Sequence, residues 1–225
     1  MAAGPQLKMG SFEKILDLLF PPRCPLCGKL GKGICPDCDA KLPLVGQAQT
    51  VRRVGSFRCA APLWYEGVAR EGLLRLKFRG TRSAARSFGE LLARCAAEEF
   101  SGEFDVVTWV PVSKKRLRQR GFAQARLLAE EACRLWGRSP ERLLVKIVDN
   151  PAQSSIRGGV SARRANVLGV YEVRPGADVA GRRILLIDDI CTSGSTLKEC
   201  VRVLEEAGAE SVVCAVAAHA KEKIG

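Results

Sequence analysis

The segment 183–197 (RILLIDDICTSGSTL) constrains this 225-residue chain more than any other. Four consecutive branched apolar residues, Ile184 to Ile187, have the pattern of a strand buried on both faces. The strand is expected to end on two adjacent carboxylates, Asp188 and Asp189. A loop rich in hydroxyls and glycine follows, and a helix is expected over 195–207. Such a loop presents free backbone N–H groups and lets the chain approach a ligand closely at Gly194. Thr192, Ser193, Ser195 and Thr196 add hydroxyl donors. These are the parts needed to cradle one phosphate at a helix N-terminus. Two acids beside the cradle suit a vicinal diol or a hydrated Mg²⁺. Phosphate, diol and metal together describe a phosphorylated ribose. Three other readings compete for the strand. A receiver domain also opens with a hydrophobic strand and an Asp pair, yet the 36 residues after Asp189 are too few to build one. A Walker-B strand also ends in acids, but its partner, G-x-x-x-x-G-K-[ST], is absent from the chain. A capped helix after a core strand explains the helix but not two acids beside four hydroxyls.

The pattern on either side predicts an α/β fold. A helix is expected over 11–20, with Ser11 as N-cap and Pro21-Pro22 as its stop. A Cys/Gly/Pro-rich module runs to about residue 43, and 44–58 reads as linker. A strand is expected over 59–65 and helices over 67–79 and 83–100. Then come a strand at 106–111, a helix at 121–136, a strand at 143–148, a long Gly/Ser/Arg-rich loop at 149–166, and strands at 169–173 and 211–217. Strands alternating with helices imply a parallel sheet covered on both faces. The longest apolar stretches fall far below the ~20 residues of a membrane span. The apolar run near the N-terminus carries Glu13 and Asp17 and lacks a clean signal-peptide core, so a cytoplasmic location is expected.

Cys24, Cys27, Cys35 and Cys38 form C-x₂-C-x₇-C-x₂-C, with Gly28, Gly31 and Gly33 relieving the tight turns. Each pair can grip one ion through two thiolates, and four sulfurs suit a closed, structural Zn²⁺ site. Another metal or cluster, or disulfides, are the alternatives. Of the other cysteines, Cys95, Cys133, Cys200 and Cys214 fall in apolar periodic patterns and are expected in the core. Cys191 lies in the phosphate loop, and His219, the single histidine, is expected to be structural. One histidine excludes chemistry that needs two or three imidazoles.

The formal charge is +12, and it is concentrated. Residues 51–87 hold nine basic side chains against Glu66 and Glu71. Residues 111–126 hold Lys114, Lys115, Arg116, Arg118, Arg120 and Arg126 with no acid. A polyphosphate ligand or a nucleic-acid backbone would meet either cluster, and solvated helix faces are the bland alternative.

DDICTSGST resembles the phosphoribosyl pyrophosphate (PRPP) motif of type I phosphoribosyltransferases. Val110-Pro111-Val112, then Arg120-Gly121-Phe122-Ala123-Gln124-Ala125, then Gln153 with Arg163, Arg164 and Asn166, resemble the ComF/GntX branch, as does the cysteine module ahead of them. The likeness covers nearly the whole chain. Ala123 stands where that branch is expected to carry Asn, and Ser193 where the phosphate loop carries Thr.

The resemblance implies a type I phosphoribosyltransferase-like parallel sheet flanked by helices, with a small N-terminal four-cysteine zinc module. The module and its helix would occupy 1–45 and the transferase-like domain 46–225, with 59–100 as a hood and 105–225 as the core. It also implies that Asp188 and Asp189 contact the ribose hydroxyls and that residues 192–196 bind the 5′-phosphate. Pyrophosphate would lie against Val112, Ser113, Lys114 and Lys115. A closing lid at 149–166 would contribute Gln153, Arg157, Arg163 and Arg164. The implied activity is Mg²⁺-dependent pentosyl transfer from PRPP to an unknown acceptor, with no side-chain nucleophile. The family's link to natural competence adds single-stranded DNA and a competence helicase as partners. A non-catalytic PRPP sensor or single-strand-binding factor is the alternative, with Trp64, Tyr65 and Phe78 as stacking residues.

Overall fold

The apolar run 184–187 lies inside a strand of nine residues, and the sheet is organised around it. The computed structural model describes residues 21, 23–31, 33–79, 82–148 and 169–221. The helix expected at 11–20 lies outside the described residues, as does the lid segment with Gln153, Arg157, Arg163 and Arg164. In chain order the described elements begin with a one-turn helix α1 (Pro36–Asp39). Strands β1 (Val51–Val54), β2 (Phe57–Ala60) and β3 (Leu63–Trp64) follow, then helices α2 (Gly67–Arg79) and α3 (Arg82–Glu99). Next come β4 (Val106–Trp109), α4 (Lys114–Arg120), α5 (Gln124–Leu135), β5 (Leu144–Lys146) and β6 (Tyr171–Val173). The series closes with β7 (Arg183–Cys191), α6 (Ser195–Glu206) and β8 (Ser211–His219).

The main sheet runs β1-β2-β8-β7-β4, with β3 continuing beside β8 where β2 stops. Every pairing in it is parallel except the β1–β2 hairpin. Alternate side chains of its central strands feed two separate cores, as the period-2 pleat requires. Leu185 and Ile187 of β7 and Val213, Ala215 and Ala217 of β8 face the core under α2, α3 and α5. Ile184 and Leu186, with Val212, Cys214 and Val216, face the one under α6. Both faces being covered, these strands read as unbroken apolar runs. No helix among the described residues is long and apolar enough to cross a membrane.

Four expectations are corrected. Residues 44–58 are not linker: they hold a 3₁₀ turn (Gln47–Gln49) and most of the hairpin. The strand expected over 59–65 is two strands, since Pro62 has no N–H to give to the ladder. β5 lies outside the main sheet and pairs antiparallel with β6 in a ribbon of its own. β7 does not end at the acids; it continues through Asp188 and Asp189, with Cys191 opposite His219 of β8.

The cysteine module is tied into the first core. Cys24, Leu26 and Cys38 are buried with Leu73, Leu76, Phe88 and Leu92. Gly72 makes the close approach possible: a Cβ there would collide with Leu26 Cδ2 and stand 2.8 Å from Phe88 Cζ.

Candidate functional site

The β7 ladder carries Asp188 and Asp189 to the C-terminal end of the sheet, where ligands of open α/β folds bind. Both carboxylates are half-buried, and each has one oxygen engaged locally. Asp188 Oδ1 accepts from the Asp189 N–H at 2.8 Å, and Asp189 Oδ1 accepts from Ile190 N–H at 2.9 Å. Burial pushes Asp188 well above the usual carboxylate range, and the charge of Asp189 adds to the rise. Burial raises Asp189 too, with Lys77 opposing it. Two adjacent carboxylates that are costly to ionise call for a cation or for hydroxyl donors. Oxygen donors of this kind fit Mg²⁺.

Beyond Cys191 the chain turns through Thr192, Ser193 and Gly194 into α6. Gly194 is the N-cap at φ 70°, a left-handed conformation that suits glycine, and its carbonyl accepts the Lys198 N–H at 2.8 Å. A Cβ at Gly194 would collide with Val54 Cγ1 of β1, so hairpin and loop are fitted to one another. Ser193 Oγ stands 2.9 Å from Ser195 Oγ and accepts from the Ser195 N–H at 3.4 Å. Ser195 is buried and Thr196 half-buried, while Thr192 is exposed.

Hairpin and loop enclose a cleft of about 160 Å³, with Arg52, Arg53 and Lys198 around Thr192 and Ser193. Part of the 51–87 charge cluster is thereby placed at the 192–194 turn, a juxtaposition that sequence reasoning missed. The available signal was Gly55-Ser56 between two short apolar-ended runs, a two-residue hairpin turn.

The basic segment after β4 is only partly loop. Val112 and Ser113 lead into α4, which begins at Lys114 and includes Lys115. Ser113 Oγ caps it by accepting from the Arg116 N–H at 3.3 Å. Arg120, at its far end, lies within electrostatic reach of Asp189; burial lowers its pKa, with Arg116 adding and Asp189 opposing. Ala123 is the N-cap of α5 and offers no side-chain cap, which is the local consequence of lacking Asn there. Beside it, Gln124 Nε2 is buried with no hydrogen-bond partner among the described residues.

Of the three aromatics proposed for stacking, Trp64 lies under Arg52 at 4.6 Å and has Lys221 at 5.8 Å. Tyr65 has Arg70 at 6.0 Å, and Phe78 is 73% exposed.

In the cysteine module the four Sγ atoms lie within 4.8 Å of one another. Cys24 is drawn down to about 6: burial raises it but is outweighed by hydrogen bonds from the Cys35, Cys27 and Leu26 backbone. Burial and the surrounding thiols push Cys38 up. A closed set of four sulfurs, two of them buried, fits a structural Zn²⁺ with no open coordination position.

A third group of side chains converges where no spacing along the chain foretells it. Cys59, Cys191 and His219 bring their ligating atoms within 4.8 Å of one another. Cys191 is drawn down to about 5, chiefly by its hydrogen bond with Cys59; burial opposes, and His219 and Arg52 add.

A family model described as Phosphoribosyl transferase domain matches residues 125–225, and one described as Double zinc ribbon domain matches 15–69. Competence protein ComFC of Bacillus subtilis is 28% identical over 187 residues, which are 82% of this chain and 72% of that one. Competence protein ComFC of Streptococcus pneumoniae is 27% identical over a gapped alignment 227 positions long that covers 84% of this chain and 96% of that one. Competence protein F of Haemophilus influenzae is 33% identical over 106 residues, 46% of this chain and 45% of that one.

Proposed function

We propose, from the premise that this chain belongs to the ComF-like family and joins a phosphoribosyl transferase domain to a double zinc ribbon, that it binds PRPP and transfers its phosphoribosyl group to an acceptor nucleophile. The observation that carries this reading is the pair Asp188-Asp189 set at the sheet's C-terminal end beside a basic, hydroxyl-lined cleft.

In this reading the hydroxyls and backbone N–H groups of 192–196 hold the 5′-phosphate, and Arg52, Arg53 and Lys198 balance its charge. The free oxygens of Asp188 and Asp189 accept from the ribose hydroxyls. The backbone at Val112 and Ser113, with Lys114 and Lys115, receives pyrophosphate. Mg²⁺, when bound, would supply positive charge to the leaving pyrophosphate, and the Asp pair are the residues that would hold it, directly or through its waters. The acceptor's lone pair forms the new bond to C1′ while the C1′–O bond to pyrophosphate breaks. That electron pair departs with pyrophosphate, and the acceptor's proton passes to solvent. The protein contributes position and charge, with no covalent intermediate. The competence proteins among its relatives suggest a setting in DNA uptake.

Titration calorimetry with PRPP and Mg²⁺ tests this. Binding heat is expected for the wild type and none for Asp188→Asn/Asp189→Asn. The same variant is expected to be more stable than wild type at pH 7. Both carboxyl pKa values are raised by folding, so ionisation weakens the folded state as pH climbs above the unfolded value. A wild type without heat, or a variant that binds unchanged, refutes the PRPP reading. Direct binding of single-stranded DNA is favoured only by exposed Phe78 in the basic 51–87 segment. It requires affinity to fall steeply between about 50 and 200 mM salt.

A further inference from the structure

Cys59 on β2, Cys191 at the end of β7 and His219 at the end of β8 have no role in phosphoribosyl transfer as described above. They are 0%, 6% and 1% exposed, and their ligating atoms lie within 4.8 Å of one another. We propose that these three side chains form a second zinc site, separate from the ribbon, in the wall of the anion cleft. Cys59 lies within the double zinc ribbon match, while Cys191 and His219 lie outside it and none of the ribbon's four cysteines belongs to this group.

Two thiolates and an imidazole are a soft donor set of the kind that selects Zn²⁺ over Mg²⁺ or Ca²⁺. Bonds of about 2.3 Å to sulfur and about 2.0 Å to nitrogen put tetrahedral donors roughly 3.5 to 3.8 Å apart. The observed bound of 4.8 Å exceeds that spacing by about 1 Å. Charge also agrees: two thiolates cancel one Zn²⁺, so the buried site carries no net charge. One ring nitrogen already has the partner that metal-bound imidazoles use. His219 Nε2 lies 3.2 Å from the Cys59 carbonyl oxygen, and donation there leaves the lone pair on Nδ1. Buried Cys95, Cys133, Cys200 and Cys214 join no such group among the described residues, so burial of cysteine in this fold does not by itself produce one. Three protein donors leave one coordination position. Cys191 and His219 both line the cleft with Thr192 and Ser193, so that position is open to water or to an anion's oxygen.

The test is zinc content of the reduced full-length protein, loaded with excess zinc and desalted without any phosphate compound present. Its outcome is therefore independent of the PRPP reading. Expected is one zinc beyond the ribbon's, lost in Cys191→Ala and in His219→Ala while the ribbon zinc stays. Cobalt added to the ribbon-loaded wild type is expected to give a thiolate-to-metal absorption band that both variants lack. A wild type that holds the ribbon zinc alone overturns the proposal, whatever the variants do. So does a zinc count unchanged in folded Cys191→Ala. A Cys59–Cys191 disulfide that, once reduced, leaves no capacity for the extra ion also overturns it.

Discussion

Gly194→Ala tests whether the loop before α6 is held in shape by the hairpin. Two separate penalties are expected. Alanine at φ 70° costs about 1–2 kcal/mol for the left-handed conformation. Its Cβ collides with Val54 Cγ1, and overpacking of a fitted contact costs about 1–3 kcal/mol more. The single substitution should therefore destabilise by about 2–5 kcal/mol. Val54→Ala alone removes two methyls from a half-buried side chain, a loss of about 1 kcal/mol. In the double variant the collision is gone and the conformational penalty remains, leaving about 2–3 kcal/mol. The two single effects should thus exceed the double by about 1–3 kcal/mol, well outside the ~0.5 kcal/mol within which independent sites add. Urea denaturation of the four proteins measures this, provided the m-value is shared. Gly194→Ala indistinguishable from wild type would refute the left-handed N-cap. Additive single effects would refute the contact between loop and hairpin.

Ala123→Ser should stabilise by about 1 kcal/mol, because it adds an acceptor to the uncapped first turn of α5; thermal denaturation showing no gain would contradict the uncapped geometry. Glu199 is held below the ordinary carboxylate range by Arg202 first, with the Gly169 N–H adding and burial opposing. Its contribution to stability is present above the unfolded pKa and is lost as pH falls through the folded one. Stability profiles of wild type and Glu199→Gln should therefore converge on acidification from about pH 5 to pH 3, and parallel profiles would rule out this linkage.

The elements legible in the sequence are those written in local periodicity. β7 opens on a branched apolar run and β8 is apolar from Val212 to Ala218, and α6 follows a hydroxyl-rich turn. The cysteine spacing also announces itself within 15 residues. The hairpin escapes such a reading because Arg52 and Arg53 interrupt its apolar content, and as an edge element it buries little of that strand. α4 escapes it because KKRLRQR has no apolar face from which a helical period can be read. β5 looks like any short apolar strand, and nothing local says which sheet it joins. Cys59 and His219 are 160 residues apart and meet only because β8 enters beside β2, a fact of topology and not of pattern.

That topology bears on how the chain is made. β8 is the last of the eight described strands to be synthesised, yet it lies between β2 and β7 and hydrogen-bonds to both. Until residues 211–219 leave the ribosome, the β1–β2 hairpin has no sheet to join and β7 has one bare edge. A nascent chain stalled before that point would present apolar strand edges suited to pairing with other chains. Assembly therefore waits on contacts of high sequence separation, which are slow to form. The wall of the cleft made by the hairpin comes into place only once β8 has emerged, so the loop cannot offer a finished site to any ligand before then.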